Sequence, residues 1–200
     1  MLFIVSGPSG CGKSSIIHHV MRDLRNVRFS VSHTTRPKRP SEQEGRDYYF
    51  VSVAEFKRMI ARNQFVEWAE VHGHYYGTSK REISLKGKGA DIILDIDIQG
   101  ARQISSQDRD AVFVFVFPPV YGELRKRLKE RGEDRPAEIE RRLKTARREI
   151  RSYVLFDYIV INKRLDRAVL ELESIILSSR CRRESRTAEI LPILESFKGS

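Results

Sequence analysis

The chain predicts an α/β fold, a parallel sheet flanked by helices, on three observations. Apolar runs dense in Ile, Val and Phe recur at 2–5, 91–96, 111–117 and 158–161. Such runs are the pattern of strands buried on both faces. Segments of helical period lie between them, and that alternation is how a sheet of parallel strands is connected. The third observation is local: Leu2-Phe3-Ile4-Val5 runs into a glycine-rich loop, and the loop opens a segment with Ile16, Ile17, Val20, Met21 and Leu24 at helical spacing.

The loop reads Gly7-Pro8-Ser9-Gly10-Cys11-Gly12-Lys13-Ser14, with Ser15 following. Two glycines four residues apart, then Lys and Ser, form the phosphate-binding pattern, and strand, loop and helix are the context that pattern requires. Glycines let successive backbone N–H groups turn inward onto phosphate oxygens. Lys13 brings a point charge to the β- and γ-phosphates, and the Ser14 hydroxyl is placed for Mg²⁺. The helix N-terminus adds its partial positive charge. The fold expected is therefore of the phosphate-loop NTPase type, with a nucleoside triphosphate as first ligand. A glycine-rich turn without a ligand would have no use for Lys13 and Ser14.

Two stretches interrupt the core. Residues 32–80 are polar and carry Arg36, Arg39, Arg46, Tyr48, Tyr49, Tyr75 and Tyr76. The run Tyr49-Phe50-Val51-Ser52-Val53 reads as antiparallel strand, so this stretch is a mixed α+β lobe inserted into the core. Residues 121–151 place Ile139, Leu143, Ala146 and Ile150 at spacings of four, three and four, one apolar helical face. The other faces carry Arg125, Arg127, Arg131, Arg135, Arg141, Arg142, Arg147 and Arg148, with glutamates interspersed. Much of that charge is solvated surface, and two or three of the arginines are expected to serve a phosphate site as a helical lid. Core segments are then 1–31, 81–120 and 152–180. Residues 181–200 form an extension whose Ile190, Leu191, Ile193, Leu194 and Phe197 suggest an amphipathic turn broken at Pro192.

Composition narrows the class. Two hundred residues suit one domain. The formal net charge of +10 fits polyanionic partners, yet no nucleic-acid-reading module is present, and none is expected. No apolar run reaches membrane-spanning length and no signal-peptide pattern is seen. Cys11 and Cys181 do not form a disulfide framework, which with the preceding points suggests a reduced, cytoplasmic protein. His72 and His74 lack a supporting ligand cluster, so no metal is expected beyond Mg²⁺ brought with ATP. Monomer and homo-oligomer both remain open.

A second anchor follows the second core run. Asp95, at a strand end opposite the phosphate loop, can hold Mg²⁺ through water. Asp97-Ile98-Gln99-Gly100 imitates a GTPase element, but the guanine-reading Asn-Lys-x-Asp pattern fails at Asn162-Lys163-Arg164-Leu165, with the carboxylate displaced to Asp166.

With these residues in hand, the chain resembles the guanylate kinase family over roughly residues 2–180. The resemblance rests on the phosphate loop, on Ser32-His33-Thr34-Thr35-Arg36-Pro37-Lys38-Arg39, and on Gly45-Arg46-Asp47-Tyr48-Tyr49-Phe50. It rests further on Phe65-Val66-Glu67-Trp68-Ala69, Tyr75-Tyr76-Gly77-Thr78 and the stretch 93–100. Ser41 stands where the family often has Gly, and the tail departs from the pattern.

The resemblance implies phosphoryl transfer from MgATP to GMP, and to dGMP, giving ADP and GDP. It implies that Ser32, Glu67, Thr78 and Asp97 read guanine and that Arg36, Arg39, Tyr48 and Tyr76 clamp the GMP phosphate. Arg131 and Arg142 match lid arginines on the ATP phosphates, and Asn162 lies toward adenine. A carboxylate can accept from both N1–H and N2–H of guanine, a pair adenine does not offer. Two rivals stay open at this point: a non-catalytic protein-binding module of the same family, and a same-fold kinase for another phosphorylated small molecule.

Overall fold

The structure, a computed structural model, describes residues 1–84, 89–108, 110–130 and 135–199. Strand β1 (Leu2–Ser6) is buried along its whole length and leads through the phosphate loop into helix α1 (Lys13–Asp23). The chain continues through β2 (Val27–Phe29), β3 (His33–Thr34), β4 (Tyr49–Phe50), α2 (Val53–Ala61), β5 (Phe65–Val71), β6 (His74–Ser79) and α3 (Lys80–Ile83). Then come β7 (Asp91–Asp95), α4 (Ile98–Ser105), β8 (Val112–Phe117), α5 (Tyr121–Glu130), α6 (Pro136–Glu149), β9 (Tyr158–Ile161), α7 (Leu165–Arg180) and α8 (Arg183–Ser196). A 3₁₀ turn, Ile150–Leu155, joins α6 to β9.

Among the described residues the core sheet has five strands in the order β2-β7-β1-β8-β9, and every pairing is parallel. Alternation along β1 sends Phe3 and Val5 to one face and Leu2 and Ile4 to the other. Phe3 and Val5 pack with Ile17 and Val20 of α1 and Leu172 and Ile176 of α7. Leu2 and Ile4 pack with Ile92, Leu94, Ile104 and Phe113. Burial on both sides is why β1, β7 and β8 read as continuous apolar stretches; β9 departs from that expectation, since it lies at the sheet edge with Ile159 and Ile161 exposed. The strand order reverses beside β1, and the crevice at the carboxyl ends there is where open α/β sheets bind ligands. Register places Asp95 opposite Val5, at the mouth of the phosphate loop.

The inserted lobe is a second sheet, ordered β4-β3-β6-β5, with α2 packed on it. Phe56 of α2 stacks on Phe65 and Tyr75, at ring-centroid distances of 4.5 and 5.4 Å. Here the expectation for 49–53 is corrected. Tyr49–Phe50 pairs parallel with β3, and Ser52 is instead the N-cap of α2, accepting from the Glu55 N–H at 3.1 Å. Antiparallel pairing belongs to β3–β6 and β5–β6. Helix α4 and the turn that follows it hold the lobe to the core by glutamines. Gln103 exchanges hydrogen bonds with the backbone of Trp68, at 3.2 and 2.8 Å, and Gln99 and Gln107 donate to the carbonyls of Glu70 and Val66.

The lid forms a small core of its own, Leu124 and Leu128 from α5 against Ile139, Leu143 and Ala146 from α6. The three α6 residues are those the periodicity indicates. Two further departures lie elsewhere. Strand β2, only three residues with Arg28 at its centre, carries no apolar pattern long enough to read. Helix α8 runs through Pro192 without breaking, and none of its residues is buried. On an exposed helix water takes the carbonyl that the missing proline N–H leaves unpaired.

Candidate active site

The site is assembled around the phosphate loop. Gly12, at φ 99°, caps α1, and a Cβ there would run into Nδ2 of Asn162. That amide is buried and donates to the Cys11 carbonyl at 2.8 Å. Asn162, expected toward adenine, thus lies under the loop and fixes its shape. Lys13 donates to the Gly7 carbonyl at 2.8 Å and stands 3.7 Å from Asp95. Burial works against its charge, but Asp95 and its neighbours outweigh that and hold the ammonium above its ordinary range. Ser14 Oγ donates to Asp95 Oδ2 at 3.3 Å. A hydroxyl and a carboxylate this close are hard oxygen donors of the type Mg²⁺ accepts, with the remaining positions left for phosphate and water. Burial pushes the Cys11 thiol up, which leaves it a packing residue of the loop.

The lid meets the loop from above. Arg142 Nη1 lies 3.4 Å from Ser9 Oγ, and its Nε is 3.4 Å from Glu138. Arg131 lies outside the described residues. Arg127 has a role that residue spacing alone does not reveal. It donates to the carbonyls of Cys11 and Asn162, at 3.3 and 3.2 Å, while its Nε bonds Glu123. One guanidinium so ties the lid base to the loop and to the end of β9. Its signal in the sequence is only its place four residues before Arg131.

Across the crevice lies a cationic and phenolic cluster. Arg36 donates to Glu42 Oε1 at 2.6 Å, and the Arg39 backbone N–H donates to Glu42 Oε2 at 2.9 Å. The Arg36 guanidinium lies over the Tyr48 ring at 5.5 Å, and Tyr48 meets Tyr76 edge to face at 6.0 Å. Glu42, buried between the two arginines, is the residue sequence reading passes over. Burial opposes its charge, yet the bonds from Arg36 and Arg39 hold its carboxyl below the usual range. Burial, reinforced by Asp95, pushes the Tyr48 phenol well above its ordinary value, so it stays an O–H donor at neutral pH.

A third group is built from Ser32, Glu67, Thr78 and Asp97. Strand β5 changes register against β6 between Phe65 and Glu67, so that Phe65 faces Ser79 and Glu67 faces Thr78. Such a bulge re-aims a side chain. The Glu67 carboxylate is buried and accepts from the Thr78 N–H at 2.8 Å. Its Oε2 occupies the space a Cβ on Gly100 would need. Asp97 caps α4, accepting from the Gly100 N–H at 2.9 Å, and Ser32 and Thr78 hydroxyls are 3.3 Å apart. Burial, with Asp97 adding to it against the pull of Thr78, pushes Glu67 up to about 7.

A phosphate loop, a facing arginine–tyrosine cluster and a buried carboxylate, Glu67, with the half-buried Asp97 beside it are the parts of a phosphate-loop kinase. The comparisons with known proteins narrow this. The guanylate kinase family model matches residues 1–179. The guanylate kinase of Geobacter sulfurreducens is 46% identical over 192 residues, 96% of this chain and 93% of that protein. That of Thermotoga maritima is 46% identical over 182 residues, 90% and 88% of the two chains. The crystal structure of guanylate kinase from Anaplasma phagocytophilum superposes with a TM-score of 0.76 at 30% identity, covering 92% of this chain and 87% of that one. The chain belongs to the guanylate kinase family, and its activity is ATP-dependent phosphorylation of GMP with Mg²⁺. The readings as a non-catalytic module or as a kinase for another acceptor give way to this one.

Proposed function

We propose the residue assignment by which this transfer proceeds. Ser32, Glu67, Thr78 and Asp97 read guanine, and Arg36, Arg39, Tyr48 and Tyr76 hold the GMP phosphate. The loop from Gly7 to Ser15 cradles the ATP phosphates, with Asn162 beneath it at the adenine end. Lys13, Arg131 and Arg142 neutralise the charge that develops on the transferred group. Ser14 and Asp95 would hold Mg²⁺, which supplies positive charge to the β- and γ-phosphates. Residues 32–80 act as the GMP lobe, 121–151 as the lid, and 1–31, 81–120 and 152–180 as the core, with 181–200 as an extension.

A GMP phosphate oxygen bonds to the γ-phosphorus of ATP as the bond from that phosphorus to the bridging oxygen breaks, and ADP leaves. The attacking oxygen is already anionic at neutral pH, so no side chain need remove a proton. Catalysis is then positioning and charge neutralisation in a site that excludes water. The observation that carries the substrate assignment is the buried Glu67 carboxylate beside Asp97. A base that cannot donate two protons to it leaves a buried polar group unpaired, at a large cost in selectivity. None of the assigned side chains is committed to the ribose, which supports acceptance of dGMP. Two free cysteines and no described helix able to cross a membrane support a cytoplasmic location. The arginines at the site serve mononucleotides, and no nucleic-acid partner is assigned. Coupled ADP release with AMP, GMP, dGMP, CMP and UMP is expected to show turnover with GMP and dGMP at least ~100-fold above the others. Equal turnover of AMP would overturn the base assignment.

A further inference from the structure

The side of the lid turned away from the phosphate loop carries a feature the transfer does not use. Lys144, Arg147, Arg148 and Arg151 recur at i, i+3, i+4 and i+7, one stripe along α6 and into the 3₁₀ turn after it. At 100° per residue the stripe lies nearly opposite Arg142, the α6 arginine that reaches the loop. All four are exposed. Among the described residues none of the four is ion-paired, whereas Arg125, Arg127, Arg141 and Arg142 of the same lid all have glutamate partners. Like charges at such spacings weaken a helix, so the stripe carries a local cost that no carboxylate among the described residues offsets.

The stripe borders a hollow. A cleft of about 560 Å³ opens between the end of β8 and the roots of both lid helices, with Phe117, Val120, Tyr121 and Ile150 on its walls and Arg147 and Arg151 at its edge. A second hollow of about 400 Å³ lies among the four cations themselves and shares those two arginines. Arg147 is held in place by the Tyr121 ring, 4.7 Å from its guanidinium. The larger volume is in the range of small-molecule sites, and its mix of apolar wall and a few convergent charges is their usual chemistry.

We propose that this cleft is a second ligand site, outside the two substrate seats, for an aromatic organophosphate of nucleotide size. The ring would lie against Phe117, Val120 and Ile150, and the phosphates would cross the stripe from Arg151 to Lys144. A concave seat bounded by two helix roots suits one small ligand better than a strand of nucleic acid, which tracks an open groove. The inference is independent of which nucleotide the acceptor seat takes.

The test uses the full chain with both substrate seats filled by a bisubstrate inhibitor that joins adenosine and guanosine through phosphates. Calorimetric titration with CTP is expected to show one saturable site of submillimolar Kd. Arg147→Glu with Arg148→Glu should raise that Kd at least ~10-fold while GMP turnover without CTP stays at the wild-type rate. Lys144→Gln with Arg151→Gln, a milder pair, should raise it in the same direction with an unchanged melting temperature. Tyr121→Ala should bring CTP affinity down to that of tripolyphosphate. No saturable binding to the filled enzyme, or equal Kd in the charge-reversed protein, would overturn the site. Tripolyphosphate binding wild type as tightly as CTP, or an eight-nucleotide uridine RNA binding more tightly than both, would overturn the ligand class.

Discussion

Glu67 sets the pH behaviour at the scale of one residue. Its carboxyl is held near 7 in the folded protein by burial and Asp97, against an ordinary value of 4.5. The folded state therefore keeps a proton that the unfolded chain releases. The sign follows: this group favours folding most below pH 4.5, and that contribution is lost as the pH rises toward 7. Glu67→Gln should accordingly be stabilised relative to wild type at pH 8 by about 3 kcal/mol, and by little at pH 4.5, in urea melts at the two pH values. Guanine needs the ionised form as acceptor. KM for GMP is expected to rise about tenfold per pH unit below 7, while KM for ATP does not share that dependence. The Gln variant should lose this part of the profile, leaving only the titration of the GMP phosphate itself. Lys13 acts on the other substrate. Lys13→Ala should cost at least ~3 kcal/mol in transition-state stabilisation, read as kcat/KM, the order found for removing one preorganised charge. Glu42→Gln should raise KM for GMP, since it frees the Arg36 guanidinium from the carboxylate that aims it at 2.6 Å.

The elements show where sequence is readable and where it is not. Strands buried on both faces declare themselves, because Leu2 to Val5 and Val112 to Phe117 must be apolar at every position. Helix α6 declares itself through the period of Ile139, Leu143 and Ala146. Strand β2 does not, since an edge strand of three residues needs no pattern beyond its neighbour β7. The β4 segment misleads because its alternating residues continue into Ser52, whose side chain stops the strand by capping a helix. At the site, residues with a chemical signature were legible: the loop glycines, Lys13, Ser14, and the arginines and tyrosines of the clamp. Supporting residues were not. Glu42, Arg127 and the buried face of Asn162 hold other groups in place, and nothing local marks that supporting role. The glutamines of α4 belong to the same class. Gln103→Ala removes both bonds to Trp68 and should loosen the lobe, seen as faster amide exchange in β5 with the core strands unaffected.

At the scale of the molecule, the extension and the two insertions behave differently. Helix α8 buries none of its residues and leaves Phe197 76% exposed. Ending the chain after Arg182 should therefore leave GMP turnover unchanged and shift the melting temperature by no more than ~2 °C, a fraction of a kcal/mol for a chain of this length. The sequence pointed to an amphipathic tail, but amphipathicity says only that a face could be covered, and the described residues of this chain do not bury it. The lid helices and the inserted lobe, by contrast, touch each other. Arg141 reaches from α6 to the tip of the β5–β6 hairpin and donates to the His72 carbonyl at 2.8 Å. His72 and Gly73 form that tip with φ of 54° and 82°, a tight two-residue turn with little slack. That bond joins the helix pair of 121–151 directly to the inserted lobe, so a shift of either part is passed to the other at a tip with little give. The two substrates, which meet no common side chain at that tip, are made to report on each other: each should bind more tightly to enzyme already holding its partner, by the same factor in both directions, and Arg141→Ala should bring that factor toward one.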